Sequence, residues 1–583
     1  MARTRADDGV ERAEVSAVAA LGRTRVVVIG GGINGIGTLR DLALQGVDAV
    51  LVERADFASG ATAASSHMIH GGIRYLENGE FRLVRESVRE RNDLLRTAPH
   101  FVRPLQTTIP IYSTFSGILA APARFLSHRA KRPRERGAVL IKTGLVLYDL
   151  FSRGGREVPR HRFAGRARTR TELPRLDPRV KYSATYYDAG VRDPERLAVD
   201  ILLDAVAAHD GIHALNYVEA VGLGPTGVRL RDVETGREFE LAADIVVNAT
   251  GPWVDLTNAA LGQPTRWLGG TKGSHIVLDH PELLAATGGR EIFFEHDDGR
   301  IVLIYPLRDR VLVGTTDIPA DPAVPAVCTD EEVEYFFALV RHVFPDIAVR
   351  HDDIVYRYAG IRPLPRQGDL APGFVSRDYR TERQAPVGGP VVFGLVGGKW
   401  TTFRAVAESL ADRVLTELGM PRRVGTAGVA IGGGRDYPRT PAARAAWLSA
   451  HLKSVPVERR DALLERYGTR ACDVAGFLGS GRGGADRLVA AGLSEREIAY
   501  LAVVERVAHL TDLVFRRTDL AMTGRADAAT VEALGAALGR ALGWSTARAA
   551  REIDACRQAL AGPVHVCANT SGNRPDSEPS SLH

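Results

Sequence analysis

Between Arg25 and Glu53 the chain reads RVVVIGGGINGIGTLRDLALQGVDAVLVE: a β-branched run, a glycine turn, a helical stretch and a second apolar run that ends in an acid. No other stretch limits the fold so strongly. Gly30, Gly32 and Gly35 satisfy the GxGxxG spacing. The first glycine permits a tight turn, the second lets backbone approach a pyrophosphate, and the third lets helix and strand pack closely with the phosphate at the helix N-terminus. Glu53 stands where a carboxylate accepts from ribose hydroxyls and repels a 2′-phosphate. Strand, turn, helix and acid in this order predict a βαβ unit of a dinucleotide-binding domain, which places the chain in the α/β class.

Two later segments read as further parts of the same domain. DIVVNATGPW (Asp244 to Trp253) and PVVFGLVGGKWTTFR (Pro390 to Arg404) each run an apolar strand into a glycine-containing turn. The fingerprint alone leaves FAD and NAD open. NATG (Asn248 to Gly251) and GGK (Gly397 to Lys399) would bring two more backbone turns to one extended cofactor, which suits a flavin enzyme better. A helix N-terminus behind GGK would also stabilise negative charge on a reduced isoalloxazine ring.

At 583 residues the chain exceeds what one hydrophobic core holds. The stretches GSHIVLDH and EIFFEHDDGRIVLIYPLRDRVLVGTTD, and the run onward to Tyr358, alternate apolar residues with turn formers, the pattern of an antiparallel sheet. Beyond IGGGRDYPRTP the chain becomes rich in Ala, Leu and Arg at helical spacing. The predicted organisation is a disordered extension over 1–23 and a discontinuous nucleotide-binding domain from 24–90, 185–265 and 372–420. A cap or substrate domain follows from 91–184 and 266–371, then a helical C-terminal domain over 428–565 and a disordered polar tail over 568–583.

Composition removes several function classes. With 75 basic against 70 acidic side chains the net charge is only +5, which calls for no nucleic-acid partner. Cys328, Cys472, Cys556 and Cys567 form no CxxC, so no metal or redox site is expected, and a reduced cytosolic setting fits best. The opening segment is too short and too charged for a secretory signal, and no stretch reaches the roughly 18 uninterrupted apolar residues of a spanning helix. Any membrane association would be peripheral.

The motifs GGGINGIG, SSHMIHGGIRYLENGEFRLV, NATGPWV, KGSHIV, GTTD, AGIRPL, SRDY and VGGKWTTFR occur in this order between about Arg25 and Ser409. In this the chain resembles the FAD-dependent (aerobic, respiratory) glycerol-3-phosphate dehydrogenases. The resemblance implies a Rossmann-like FAD-binding domain of the D-amino-acid-oxidase-like type, an antiparallel β-sheet cap over the flavin and an α-helical C-terminal domain. It implies oxidation of sn-glycerol-3-phosphate to dihydroxyacetone phosphate, electrons passed to a membrane quinone, and a homodimer. Cofactor contacts are expected from Gly30, Gly32, Ile33, Asn34, Gly35, Glu53, Ser65, Ser66, Val218, Ala249, Gly251, Gly397, Gly398, Lys399 and Thr401.

Oxidising a secondary alcohol requires a base for the hydroxyl proton, a hydride acceptor and cations around the phosphate. His70, in IHGGIRY, would lie near the flavin by resemblance and is the leading base, assisted by Arg362 from AGIRPL. His275 in KGSH is the competing base, with an orienting role the alternative. Arg74, Arg362, Arg377 and Lys399 are the cations inside recognisable motifs, with Lys272 a weaker fifth and Tyr75 a hydroxyl donor. Lys399 counts with the catalytic residues as well as the cofactor contacts. Where the family often carries a lysine this chain has His67, which could replace that charge only when protonated.

The segment from Ser113 to Gly155 mixes apolar patches with the basic run SHRAKRPRERG. Two readings stay open for it: an interfacial anchor on anionic lipid, and an ordinary surface loop of the cap. A glycerol-3-phosphate oxidase, which passes electrons to dioxygen, would share every motif. An amino-acid-oxidising flavoenzyme would want fewer cations, and an inactive flavoprotein scaffold would have no need of His70, Arg362 and Lys399.

Overall fold

A computed structural model describes residues 12–73, 80–114, 137–151, 157–296, 301–366, 378–480, 486–562 and 564–565. The predicted βαβ unit is β1 (Arg23–Ile29), the helix Ile33–Leu44 and β2 (Ala49–Glu53). These strands lie in an eight-stranded sheet with β7 (Ile212–Asn216), β8 (Val218–Leu223), β9 (Gly227–Asp232), β10 (Glu238–Asn248), β17 (Arg380–Gln384) and β18 (Val391–Val396). The order is β17-β18-β10-β1-β2-β7, and the contacts of β1 with β10 and β2, of β10 with β18 and of β2 with β7 are all parallel. Ile29 sits opposite both Asn248 and Val52, and Asn248 opposite Gly394. The turns after β1, β10 and β18 therefore leave from one carboxyl edge, where ligands of open α/β sheets bind.

Both faces of this sheet are covered, so its strands are apolar on both sides. Val26 and Val28 pack on Ile36 and Leu39, on Leu197 and Ile201 of the helix Pro194–Ala208, and on Val406 and Leu410 of the helix Phe403–Glu417. Val27, Val50 and Val246 turn to the opposite face and meet Val15 and Val18. Those two valines belong to a helix, Ala13–Leu21, which corrects the expectation of disorder through residue 23. The helix is ordered because its apolar side closes the sheet. Arg12 just before it donates to the Asn216 and Tyr217 carbonyls at 2.7 and 3.2 Å and to Asp232 at 3.0 Å. Residues 1–11 and the predicted tail over 568–583 lie outside the described residues.

The second sheet has eleven strands, ordered β21-β16-β11-β14-β13-β12-β4-β6-β3, with β15 on β11 and β5 on β6. Its members are β3 (Met68–Ile69), β4 (Val102–Ile111), β5 (Arg162–Gly165), β6 (Tyr182–Val191), β11 (Thr271–Leu278), β12 (Glu291–Glu295), β13 (Ile301–Leu307), β14 (Arg310–Gly314), β15 (Ile318–Pro319), β16 (Ile354–Arg362) and β21 (Val564–His565). One face carries Ile276, Phe294, Ile304 and Val313 onto Val333, Phe336 and Val340 of the helix Asp330–Val343. Here too boundaries shift. β3 and the second half of β6, expected in the nucleotide-binding domain, belong to the cap sheet, because Met68 and Ile69 pair with Gly190 and Ala189.

Beyond residue 440 the helices Pro441–His451, Val457–Tyr467, Ala471–Ser480, Glu495–Val503, Ala528–Leu542 and Thr546–Ala561 enclose a core that includes Leu463, Val474, Ile498, Leu513 and Leu534. This part is not purely helical: β19 (Leu488–Ala490) and β20 (Leu493–Ser494) form a small hairpin, and β21 joins the cap sheet beside Tyr358 and Ala359. A buried ionic cluster ties it to the nucleotide-binding sheet. Arg517 binds Asp56 through both terminal nitrogens at 2.9 and 3.0 Å, Arg516 reaches the same carboxylate at 2.6 Å, and Arg196 meets Glu505 at 2.9 and 3.0 Å.

Candidate active site

The carboxyl edge of the first sheet opens into a cavity of about 990 Å³ that runs from Glu53 and Arg54, past the glycine turn, to Gly397–Trp400 and the cap sheet. At the near end Gly30 has φ 108°, a conformation side chains rarely adopt, and a Cβ there would stand 2.8 Å from the Ala249 carbonyl oxygen. A Cβ on Gly35 would lie 2.0 Å from the Gly30 oxygen, so this glycine fixes helix–strand packing and does not itself line the cavity. Glu53 accepts from the Gly31 and Ala55 N–H groups at 2.7 and 3.0 Å. Burial pushes its carboxyl up, against those two donors, which favour the ionised form.

Farther in, the cavity wall takes in Ile33, Asn34, Ser65, Ser66, Val218, Ala249, Gly251, Gly397 and Gly398, all expected as cofactor contacts. The Ile33 N–H is already used by Thr62, at 3.0 Å. Among the described residues Asn34 Oδ1 is buried with no hydrogen-bond partner, and a Cβ on Gly398 would press to 3.2 Å of the same side chain's nitrogen. Glycines at every close approach, an acid at the far end and an unsatisfied buried amide oxygen fit an extended dinucleotide such as FAD. Thr401, like Gly35, is an exception: 2% exposed, it does not line the cavity.

His70, His275, Arg362 and Lys399 line the same cavity at its flavin end. His70 follows β3 directly. His275 stacks on Tyr358 with ring centroids 4.8 Å apart and its Nε2 lies 2.8 Å from the Ser66 hydroxyl. Burial drives its pKa well below the ordinary value, Arg362 and His67 adding to the effect, so the ring is neutral. Arg362 is held by the Thr316 carbonyl at 3.1 Å, Asp317 at 3.0 Å and the Thr315 hydroxyl at 2.9 Å. Lys399 donates to Ser87 at 3.2 Å and is 9% exposed.

One expectation is corrected, and the condition set for His67 is not met. Lys272 does not line the cavity; its ammonium donates to Glu332 at 2.7 Å and to the Val327 carbonyl at 2.6 Å. The cause is strand alternation. Along β11 Gly273 and His275 face the cavity, whereas Lys272 and Ser274 face the helix Asp330–Val343, where Ser274 also bonds Glu332. His67 is buried with Nδ1 3.1 Å from the Val191 carbonyl, and burial lowers its pKa, so it supplies no charge in place of a lysine. Arg74, Tyr75 and Arg377 lie outside the described residues.

Several cavity residues were not among those expected. Arg54 lies 5.2 Å over the Trp253 ring at the nucleotide end; Tyr186, Asp188, Phe293 and Leu303 roof the other end from β6, β12 and β13. A basic residue directly after the ribose acid was legible in principle. The roof residues were not, since their facing depends on a register set by distant strands.

A family model described as FAD dependent oxidoreductase matches residues 25–413, and one described as the C-terminal domain of alpha-glycerophosphate oxidase matches residues 424–549. The chain is 34% identical over 521 residues to a glycerol-3-phosphate dehydrogenase of Synechocystis sp., covering 85% of this chain and 89% of that one. It is 35% identical over 390 residues to a D-erythritol 1-phosphate dehydrogenase of Brucella abortus, covering 65% and 71%. The crystal structure of the glycerol-3-phosphate dehydrogenase from Bacillus halodurans, complexed with FAD, aligns over 96% of this chain and 99% of that one with TM-score 0.70 at 23% identity, so the fold is shared. With the nucleotide cradle, these matches bear out FAD as the cofactor and an oxidoreductase as the enzyme class. The chain belongs to the family of FAD-dependent glycerol-3-phosphate dehydrogenases.

Proposed function

We propose that the flavin end of the cavity oxidises sn-glycerol-3-phosphate to dihydroxyacetone phosphate, with His70 as the base that takes the C2 hydroxyl proton. The observation that carries this reading is that His70, His275, Arg362 and Lys399 line one cavity together with the nucleotide cradle. Bound FAD supplies the acceptor for the hydride that leaves C2. Arg362, oriented by Thr315, Thr316 and Asp317, binds and aligns the phosphate. Asp317 fixes the guanidinium in place and offsets part of its attraction for the phosphate dianion. Lys399, nine-tenths buried, adds positive charge beside the flavin end of the cavity. Neutral His275, fixed by Ser66 and Tyr358, is an orienting hydrogen-bond partner for the substrate. Arg74, Tyr75 and Arg377 complete the phosphate site in this reading.

Anaerobic addition of glycerol-3-phosphate to the FAD-loaded protein is expected to bleach the flavin. His70→Ala should slow bleaching severely and leave FAD bound, with His275→Ala less affected. A parental rate in His70→Ala would end its assignment as base. D-erythritol 1-phosphate belongs in the same assay, given the Brucella relative.

For the electrons, the same reading takes a membrane quinone as acceptor and a peripheral seat on the inner face of the cell membrane. No described helix is long and apolar enough to cross a membrane. Support comes from the helix Ala138–Phe151, whose Val139, Val146, Leu147 and Leu150 are 44%, 45%, 40% and 42% exposed, directly after the basic run Ser127–Gly137. Flotation with anionic but not neutral vesicles, and quinone-dependent turnover, are expected. The match of residues 424–549 to an oxidase C-terminal domain favours dioxygen as the alternative acceptor. Stoichiometric peroxide without added quinone or dye would replace the quinone reading by that one.

A further inference from the structure

The turn that carries His70 is braced by a buried cluster centred on Asp188, which also contributes to the cavity roof. β3 ends at Ile69, paired with Ala189 of β6, and two residues later the Gly71 N–H donates to Asp188 Oδ1 at 2.9 Å. The same oxygen accepts from the Tyr148 hydroxyl at 2.5 Å and from Arg91 Nη1 at 3.1 Å. Arg91 is fixed in turn by the Tyr187 carbonyl at 2.9 Å and by Asn92 Oδ1 at 2.9 and 3.2 Å. Arg91, Asp188 and Tyr148 are 0%, 1% and 2% exposed. Asp188 Oδ1 thus gathers three donors from three separate elements.

The turn also lies flat on the phenol. A Cβ on Gly71 would stand 1.9 Å from the Tyr148 hydroxyl and 2.7 Å from its Cζ, so only glycine allows this approach. His70 is thus bracketed by the β3–β6 ladder on one side and by Asp188 on the other. We propose that Asp188, braced by Arg91 and Tyr148, is a positioning residue that sets where the His70 imidazole stands against the substrate. The inference rests on His70 being the base. Stability alone is a poor account of the cluster: burying an ion pair costs desolvation that an apolar replacement avoids, and among the described residues Asp188 Oδ2 is left buried without a hydrogen-bond partner. What such a cluster secures is placement, and about 1 Å of misplacement costs on the order of 100-fold in rate.

The test is stopped-flow anaerobic reduction of FAD-loaded Tyr148→Phe and Asp188→Asn enzyme by glycerol-3-phosphate. The limiting reduction rate is expected to fall roughly tenfold or more while the substrate Kd stays within about threefold, since only the base is displaced. A purely structural role would change FAD content or thermal stability and leave the rate of the loaded enzyme unchanged. Limiting rates within about twofold of the parent, or a change confined to Kd, overturn the inference. Should Asp188→Asn not fold, Tyr148→Phe retains the Arg91–Asp188 pair and decides alone. His70→Ala separates the two readings. If it reduces normally, the base assignment fails and the positioning role with it; if it is slow and both other variants are normal, only the positioning role fails.

Discussion

Replacing Arg517 with alanine tests how the C-terminal helices are held and what they hold in return. The guanidinium is fully buried and binds Asp56 twice, at 2.9 and 3.0 Å, and the Glu505 carbonyl at 2.8 Å. Breaking a buried pair by deleting one partner costs about 3–5 kcal/mol. Asp56 would keep Arg516 at 2.6 Å and Glu505 would keep Arg196, so the lower end applies. About 3 kcal/mol is roughly a 150-fold rise in the population of the undocked state, and roughly 6–12 °C in Tm for a cooperative unit of 150–250 residues. Because Arg54 and Ala55, which immediately precede Asp56, line the nucleotide end of the cavity, FAD release should accompany the loss. Flavin fluorescence and circular dichroism during heating read both events. A midpoint lowered by less than about 2 °C, with flavin release unchanged, would refute the ionic latch. Acidification is a second route to the same state. Burial alone would raise the Asp56 carboxyl, but Arg517 and Arg516 outweigh it and hold its pKa below the ordinary value. Its contribution is therefore complete above the unfolded carboxylate range, near pH 4, and is lost as pH falls below it.

Gly35→Ala should abolish FAD binding while the C-terminal helices still fold, because its Cβ would lie 2.0 Å from a backbone oxygen that cannot yield; retained flavin absorbance in the purified variant would contradict this. Arg362→Ala should weaken glycerol-3-phosphate binding by roughly 10–100-fold, as loss of a charged hydrogen bond of about 1.5–3 kcal/mol implies, whereas Lys272→Met should lower Tm and leave Kd unchanged. Equilibrium titration of the oxidised enzyme distinguishes the pair, and a Kd effect in Lys272→Met would return that residue to the site. Burial opposes charge on His509, but Glu234 and Glu552 outweigh it and lift its pKa to about 10. Its stabilisation is then full below pH 6.5 and lost as pH rises from there to about 10, so His509→Gln should flatten the alkaline limb of the stability curve seen by denaturant titration.

The nucleotide cradle was legible because its signals are local: a strand, a glycine turn and a helix contiguous in sequence, with Glu53 at the end of the next strand. Lys272 shows a rule that was available and unused. The alternation of KGSH along β11 already separates Lys272 and Ser274 from Gly273 and His275, so Lys272 and His275, three residues apart, were bound to face opposite sides of the sheet. Asp188 was beyond reach, since its partners Gly71, Arg91 and Tyr148 come from three other elements and meet only after the cap sheet has formed. The helix Ala13–Leu21 was not legible for a related reason: its valines have no local partner and find one on the sheet face to which β1, β2, β7 and β10 contribute.

The register of the first sheet carries a kinetic consequence. Its central strand β1 touches β2 nearby in sequence, but its other neighbour, β10, begins at residue 238, and the next strand, β18, at residue 391. Contacts of such span are slow to form. During synthesis the glycine turn of β1 emerges long before the turns at Ala249 and Gly397 that share its cavity. Cofactor loading must therefore wait until more than two thirds of the chain has left the ribosome, and fragments ending before β18 should expose the apolar edge of β10 in place of a flavin site.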